Sequence, residues 1–348
     1  MEGEATESPC FRRRRAFLLP PRLKGGVTLD HRVLPFKAFG RRVRGLWLFL
    51  ILLLAACAPP QGAPAPQPPS PPALAFPVTV TDDDGQTVTV EREPQRLITL
   101  APSNTEIVYA LGIGDRLVAV SDYSDYPPEA AAKPKVGYIR VDIERVIAYN
   151  PDLILATGAH RQQVTPQLRQ RGLKVITLDP KNIDHVFDNI LLVGRATGQM
   201  AAAEKLVADL KARVQQIEAR VRQAKTRPRV FFELDKSLFT VGPGSFIHDM
   251  IVRAGGENIA GDADRPYPQL SLEVLLQRDP EVVIITDIGP YGGETPESVR
   301  ARPGWQALSA VKNNRIVPIN PDLVNRPGPR IVDGFEAIAR AVHPEVFN

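Results

Sequence analysis

Cysteine is almost missing from this chain: its 348 residues include only Cys10 and Cys57. A disulfide-stapled fold is therefore excluded, and any folded body must be held by packing alone. Long apolar runs are scarce as well. The longest, Leu46–Ala56, has 11 residues, about 16 Å as a helix, where a membrane span needs roughly 20 residues. A polytopic membrane protein is ruled out. The usual catalytic signatures are absent too. No phosphate-binding Gly-x-x-x-x-Gly-Lys loop occurs, Gly242-Pro243-Gly244-Ser245 lacks the lysine, and no Gly-x-Ser-x-Gly elbow is present. None of the 5 histidines belongs to a His-Glu-x-x-His pair, so no metal site is expected. Finally, the basic excess is confined to the front. Residues 1–57 hold 11 Lys and Arg against 4 Asp and Glu, whereas the rest holds 32 against 35. No nucleic-acid partner is expected from such a body.

What is present begins with a targeting segment. Arg41, Arg42 and Arg44 precede the apolar run, which closes on Leu54-Ala55-Ala56-Cys57. A basic flank, a short apolar core and small residues make a secretory signal. Its ending resembles the lipobox of bacterial lipoproteins, which implies acylation of Cys57, cleavage before it, and an extracytoplasmic, membrane-anchored product. The acidic residues Glu2, Glu4, Glu7 and Asp30 do not suit a signal, and translation is expected to begin downstream, near Val33 or Leu34. Residues 58–75, nearly all Pro, Ala, Gln and Ser, read as an extended tether.

The remaining chain, with 43% hydrophobic and 24% charged residues overall, can bury a core. Val78 and Val80, then Asp82-Asp83-Asp84-Gly85, then Val88 and Val90 predict a β-hairpin. Strands at 96–100, 117–120 and 153–156 alternate with helices, the pattern of a parallel sheet. Ser103 and Glu106 predict a capping box at the first helix. Residues 183–223 carry apolar side chains at helical spacing, as two successive helices or one bent helix. Beyond Pro228 the plan recurs. The segment Asp142–Thr157 aligns with Ser271–Thr286, 129 residues downstream: capping residue, Glu at the second helical position, Asn/Asp-Pro break, buried strand. The expectation is an α/β fold of two Rossmann-like lobes, 76–182 and 228–348, joined by a connecting helix within 183–227. Ligands of such sheets gather where the strands end, so the cleft between the lobes is the candidate site, for binding rather than catalysis.

Leu100–Glu106, Ser121–Ala130, Ile143–Leu153, Gly255–Ile259 and Pro266–Ser271 resemble the vitamin B12-binding proteins of ABC importers, members of the helical-backbone class of substrate-binding proteins that also carry siderophores and haem. The resemblance runs from about Phe76 to the C-terminus, and Tyr123-Ser-Asp-Tyr-Pro-Pro128 is the part that points to cobalamin. It implies a monomeric binding protein, not an enzyme, whose ligand contacts are Tyr123, Tyr138, Phe239, Tyr267, Asp322, Leu323, Val324, Asn325 and Arg326. Tyr138, Tyr267, Thr157 and Leu323 stand where the cobalamin carriers have tryptophan. Glu144 and Glu273 match the lobe-tip glutamates that dock on arginines of the permease dimer, although a carboxylate in the first helical turn also serves the helix dipole. Gly137-Tyr138-Ile139-Arg140 resembles the segment that supplies a tyrosine ligand to haem, which makes haem the rival ligand, with a ferric siderophore third. A membrane-tethered sensor or enzyme on the same scaffold is the reading from another class. The helix between the lobes implies only a modest change on binding.

Overall fold

A computed structural model describes residues 75–288 and 293–347. The expected signal segment, Cys57 and all but the last residue of the tether lie outside the described residues.

The alternation at the start produces the expected hairpin. β1 (Val78–Thr81) pairs antiparallel with β2 (Thr87–Val90), with Val78 opposite Val90, and Gly85 takes the left-handed conformation that the turn requires. The three aspartates do more than favour a turn. The Asp82 carboxylate accepts the N–H groups of Asp84, Gln86 and Thr177 at 3.1, 2.8 and 3.0 Å and Arg169 Nη2 at 2.6 Å. Asp83 accepts Asp179 N–H at 2.5 Å and Asn189 Nδ2 at 3.0 Å. The hairpin is thereby fixed to the first lobe.

Each lobe is built on one parallel sheet. β3 (Leu97–Thr99), β4 (Leu117–Val120), β5 (Leu153–Thr157) and β6 (Val175–Leu178) lie in the order β4-β3-β5-β6. β7 (Arg229–Glu233), β8 (Glu257–Asn258), β9 (Val282–Ile285) and β10 (Ile316–Pro318) lie in the order β8-β7-β9-β10. Both orders read second, first, third, fourth. The duplication seen in the sequence is therefore a duplication of topology, and the fold is α/β with two Rossmann-like lobes. β9 and the first four residues of β5 are apolar throughout because both of their faces are covered.

The matching detail extends to side chains. Asp142 caps its helix by accepting Arg145 N–H, as Ser271 accepts Val274 N–H. Asn150 and Asp279, each just before a proline, both adopt positive φ. Arg96 donates Nε to the carbonyls of Tyr149 and Asn150, and Arg229 donates Nε to those of Arg278 and Asp279. One arginine thus satisfies the orphan carbonyls of each helix end.

Between the lobes lie two helices, Ile183–Thr197 and Met200–Val221, separated by Gly198 at positive φ. They pack closely enough that a Cβ on Gly194 would overlap that of Ala203. The second runs for 22 residues, about 33 Å, against the C-terminal helix Ile331–Val342, where Arg213 Nη2 meets Asp333 at 2.7 Å. A single apolar core passes from Leu97 and Val186 through Val207 to Val230 and Phe335. The expected capping box is not formed. The first helix, Pro102–Ala110, starts at a proline whose missing N–H needs no cap, and Glu106 turns instead to Arg330.

Candidate functional site

The cleft between the lobes has a volume of about 710 Å³, within the roughly 300–1,000 Å³ usual for ligand pockets. Its walls follow the strand ends. Ala101–Ser103 follow β3, Thr157–Ala159 end β5, Leu178–Lys181 end β6, and Pro321, Asp322 and Asn325–Pro327 follow β10, with Gly244, Phe246, Pro266 and Tyr267 completing the second lobe's side. A cavity of about 750 Å³ lined by Tyr109, Tyr126, Pro127, Pro329 and Arg330 is slightly larger. Of these two, the interlobe cleft collects the ends of strands from both sheets, which is where α/β folds bind ligands.

Three tyrosines supply the aromatic surface. Tyr123 is 60% exposed and meets Tyr138 edge to face, with ring centroids 5.8 Å apart. Tyr138 is half-buried and in turn meets the ring of His160 at 5.9 Å. Gly137, at positive φ, lets the chain turn beneath Tyr138, since a Cβ there would overlap the Arg140 carbonyl. His160 is fully buried and its tautomer is fixed: Thr157 N–H donates to Nδ1 at 3.1 Å, so the proton sits on Nε2 and is donated to the Tyr138 carbonyl at 2.9 Å. Burial lowers the His160 pKa against that hydrogen bond, which keeps the ring neutral. Both of its ring nitrogens are engaged, and the ring supports Tyr138. Among the described residues no cluster of three His, Cys, Asp or Glu side chains is arranged to hold a metal ion.

Behind the tyrosines, charge is held in pairs and triads. Arg326 is 9% exposed and reaches Asp125 at 2.6 Å, Asp322 at 2.7 Å and Glu106 at 3.6 Å. Arg330 donates Nε and Nη2 to the two Glu106 oxygens at 2.9 and 2.6 Å and lies over the Tyr126 ring at 3.9 Å. Burial raises the Glu106 pKa, and the two arginines only partly offset it. On the opposite rim Lys181 meets Asp179 at 2.5 Å, and Arg161 joins Asp179 at 2.9 Å and also Asp84. Tyr138 has its pKa raised by burial, with Arg326 pulling the other way.

Of the residues expected at the site, Tyr123, Tyr138, Tyr267, Asp322, Asn325 and Arg326 line this cleft, as does Thr157. Val324 and Leu323 do not. The short helix Pro321–Val324 turns them inward: Val324 is fully buried in the core and Leu323 packs against it, while Asp322 faces the cleft. Phe239 is exposed beside β7, where it bridges Gln269, outside the cleft lining. Arg161, Asp179, Lys181 and Phe246 were not anticipated; their positions just after strands or in a capped turn were the available signal. Glu144 and Glu273 lie away from the cleft, both exposed in the first turns of the equivalent helices Ile143–Ala148 and Leu272–Arg278.

Residues 97–323 match the sequence family described as periplasmic binding protein. The uncharacterized ABC transporter substrate-binding lipoprotein YvrC of Bacillus subtilis is 33% identical over 271 residues, covering 76% of this chain and 84% of that protein. The vitamin B12-binding protein of Vibrio cholerae is 35% identical over 249 residues, covering 70% of this chain and 87% of that protein. A crystal structure of the periplasmic vitamin B12-binding protein of Vibrio cholerae matches with a TM-score of 0.64 at 33% identity, over 72% of this chain and 98% of that one. The apo structure of the periplasmic haem-binding protein RhuT from Roseiflexus sp. RS-1 matches with a TM-score of 0.66 at 26% identity, over 72% of this chain and 99% of that one. With its duplicated parallel sheets and interlobe cleft, the chain belongs to the periplasmic binding protein family, as an extracytoplasmic substrate-binding protein of the class III type that serves ABC transporters.

Proposed function

We propose that this protein captures cobalamin or a related corrinoid in the interlobe cleft, hands it to the permease dimer of an ABC importer, and is held at the membrane by acylated Cys57. The observation that carries the reading is the aromatic surface of Tyr123, Tyr138 and Tyr267 across a cleft open at the strand ends of both lobes. A flat macrocycle offers large apolar faces, and aromatic rings match them with little loss of side-chain freedom. The relatives named for vitamin B12 binding support the same ligand. Haem, the rival ligand, would be held through the phenolate of Tyr138. Carriage rather than catalysis fits a cleft of aromatic and paired charged groups. Glu144, 79% exposed and paired with Arg171 at 3.2 Å, and the equivalent Glu273 each offer one acid per lobe to a two-fold permease.

Visible spectra and calorimetric titration with cyanocobalamin, haemin and a ferric siderophore test the ligand. Saturable binding of cyanocobalamin in preference to the other two is the expected result. A tyrosinate-to-iron band with haemin that is lost in Tyr138→Phe, together with silence toward cyanocobalamin, refutes it.

A further inference from the structure

Each cation lining the cleft is already engaged by carboxylates. The lining contains three cationic side chains, Arg161, Lys181 and Arg326. Lys181 and Arg161 share Asp179, and Arg161 also meets Asp84. Arg326 is the fixed member of the set: little exposed, and held by Asp322 from its own lobe and by Asp125 and Glu106 from the other. Burial alone would raise the pKa values of Asp125 and Asp179, but the hydrogen bonds from Arg326 in the first case and from Lys181 and Arg161 in the second hold both below the ordinary value. These carboxylates stay ionised at neutral pH, and among the described residues the cleft presents no cation without a counter-charge. A carboxylate on an incoming ligand would meet Asp179 and Asp322 at the walls and would have to displace an existing partner to gain an arginine.

Resting on the corrinoid reading above, we infer that the cleft selects macrocycles whose periphery is uncharged, as amides are, and discriminates against the same ring bearing carboxylates, with Asp125 and Asp179 as the specificity-determining residues. The mechanism is repulsion built against the wrong ligand rather than extra attraction for the right one. Asp125 acts at one remove, through Arg326, since its own side chain does not line the cleft.

The test compares two corrinoids on the full-length protein in detergent: dicyanocobinamide, with amide side chains, and dicyanocobyrinic acid, with carboxylates on the same ring. At low ionic strength the amide ligand should bind at least about tenfold more tightly, the effect of one or two unfavourable charge contacts in a wet cleft. Added salt should narrow the ratio. Asp125→Asn and Asp179→Asn should each narrow it by about threefold or more, because each removes one of the negative charges that offset the cleft cations. The ratio is measured on one variant at a time, so a general loss of folding cancels. Equal binding of the two corrinoids by the unaltered protein, or a ratio unmoved by salt and by both variants, overturns the inference while leaving the corrinoid reading in place. Failure of both corrinoids to bind refutes that reading and the inference with it.

Discussion

Replacing Arg330 by leucine tests whether the two lobes are held together by a buried charge pair. Glu106 is 2% exposed and sits in the first helix of the first lobe, whereas Arg330 opens the C-terminal helix. The substitution removes both short hydrogen bonds and leaves Glu106 with Arg326 at 3.6 Å. Breaking a buried pair costs about 3–5 kcal/mol, because the surviving charge stays desolvated. With Arg326 still near, the lower end, about 3 kcal/mol, is expected, or a fall of roughly 6–12 °C in Tm for a body of this size. Arg330 has its pKa raised chiefly by the bond to Glu106, while Glu106 has its own raised chiefly by burial. The pair is favourable once formed, yet the carboxylate is still costly to ionise inside the protein. Since the folded-state pKa of Glu106 lies above its ordinary 4.5, the native state holds this proton more tightly than the unfolded chain. Its contribution to stability is present below 4.5 and is lost as pH rises through the raised value. Arg330→Leu raises the pKa further, so the gap in Tm between the two proteins should be widest near pH 7.5 and shrink toward pH 5. Thermal melts across that range provide the assay, with Arg330→Leu/Glu106→Gln expected to recover part of the loss at pH 7.5. A gap that is flat with pH, and a double variant no better than the single, would show that the charge pair is not what is being broken.

Three further outcomes follow from other parts of the molecule. Charge reversal at both Glu144 and Glu273 should abolish cellular uptake of labelled cobalamin while calorimetric affinity in solution is unchanged; loss of affinity would remove the docking role. Tyr123→Ala should weaken corrinoid binding by about three- to tenfold, the range set by one aromatic contact, and leave the melting temperature unaltered because the ring is 60% exposed; unchanged affinity would take Tyr123 out of the site. Gly194→Ala should destabilise by about 1–3 kcal/mol, although alanine normally favours a helix, because its Cβ would overlap that of Ala203; a more stable variant in denaturant titration would show that the two helices can separate without penalty.

The parts of this structure that were legible in the sequence are those fixed by near neighbours. Asp142 and Ser271 cap helices three residues on, Asn150 and Asp279 break them before proline, and apolar runs such as 282–285 have one comfortable place, inside a sheet. Where a residue's partner is distant, local reasoning fails. Glu106 has the spacing of a capping box with Ser103, but its partner is 224 residues away. Asp84 reads as a turn former and in fact helps hold Arg161 at the cleft rim. The family resemblance implies the whole loop 322–326 as lining, yet it begins as a helix, and a helix offers one face. Asp322, Asn325 and Arg326, at spacings of three and four, turn to the cleft, and Leu323 and Val324 turn to the core. That periodicity was available in the sequence.

The duplication itself separates the two surfaces that a carrier needs. Features repeated in both lobes are the capped helices, with Glu144 and Glu273 in their first turns, and the arginines Arg96 and Arg229 that clasp the far ends of the same helices, where helix leads into strand. The cleft lining does not repeat in the same way: Tyr138 and Asp179 on one side face Phe246, Tyr267 and Arg326 on the other. A two-fold permease presents the same surface twice, so equivalent acids on equivalent helices can meet it without further adjustment. A corrinoid has no such symmetry, and a cleft with unlike walls can match its two faces separately. On the proposed function, changes in ligand selectivity should therefore be reachable through the strand-end loops alone, with the helix-and-arginine frame that carries Glu144 and Glu273 left untouched.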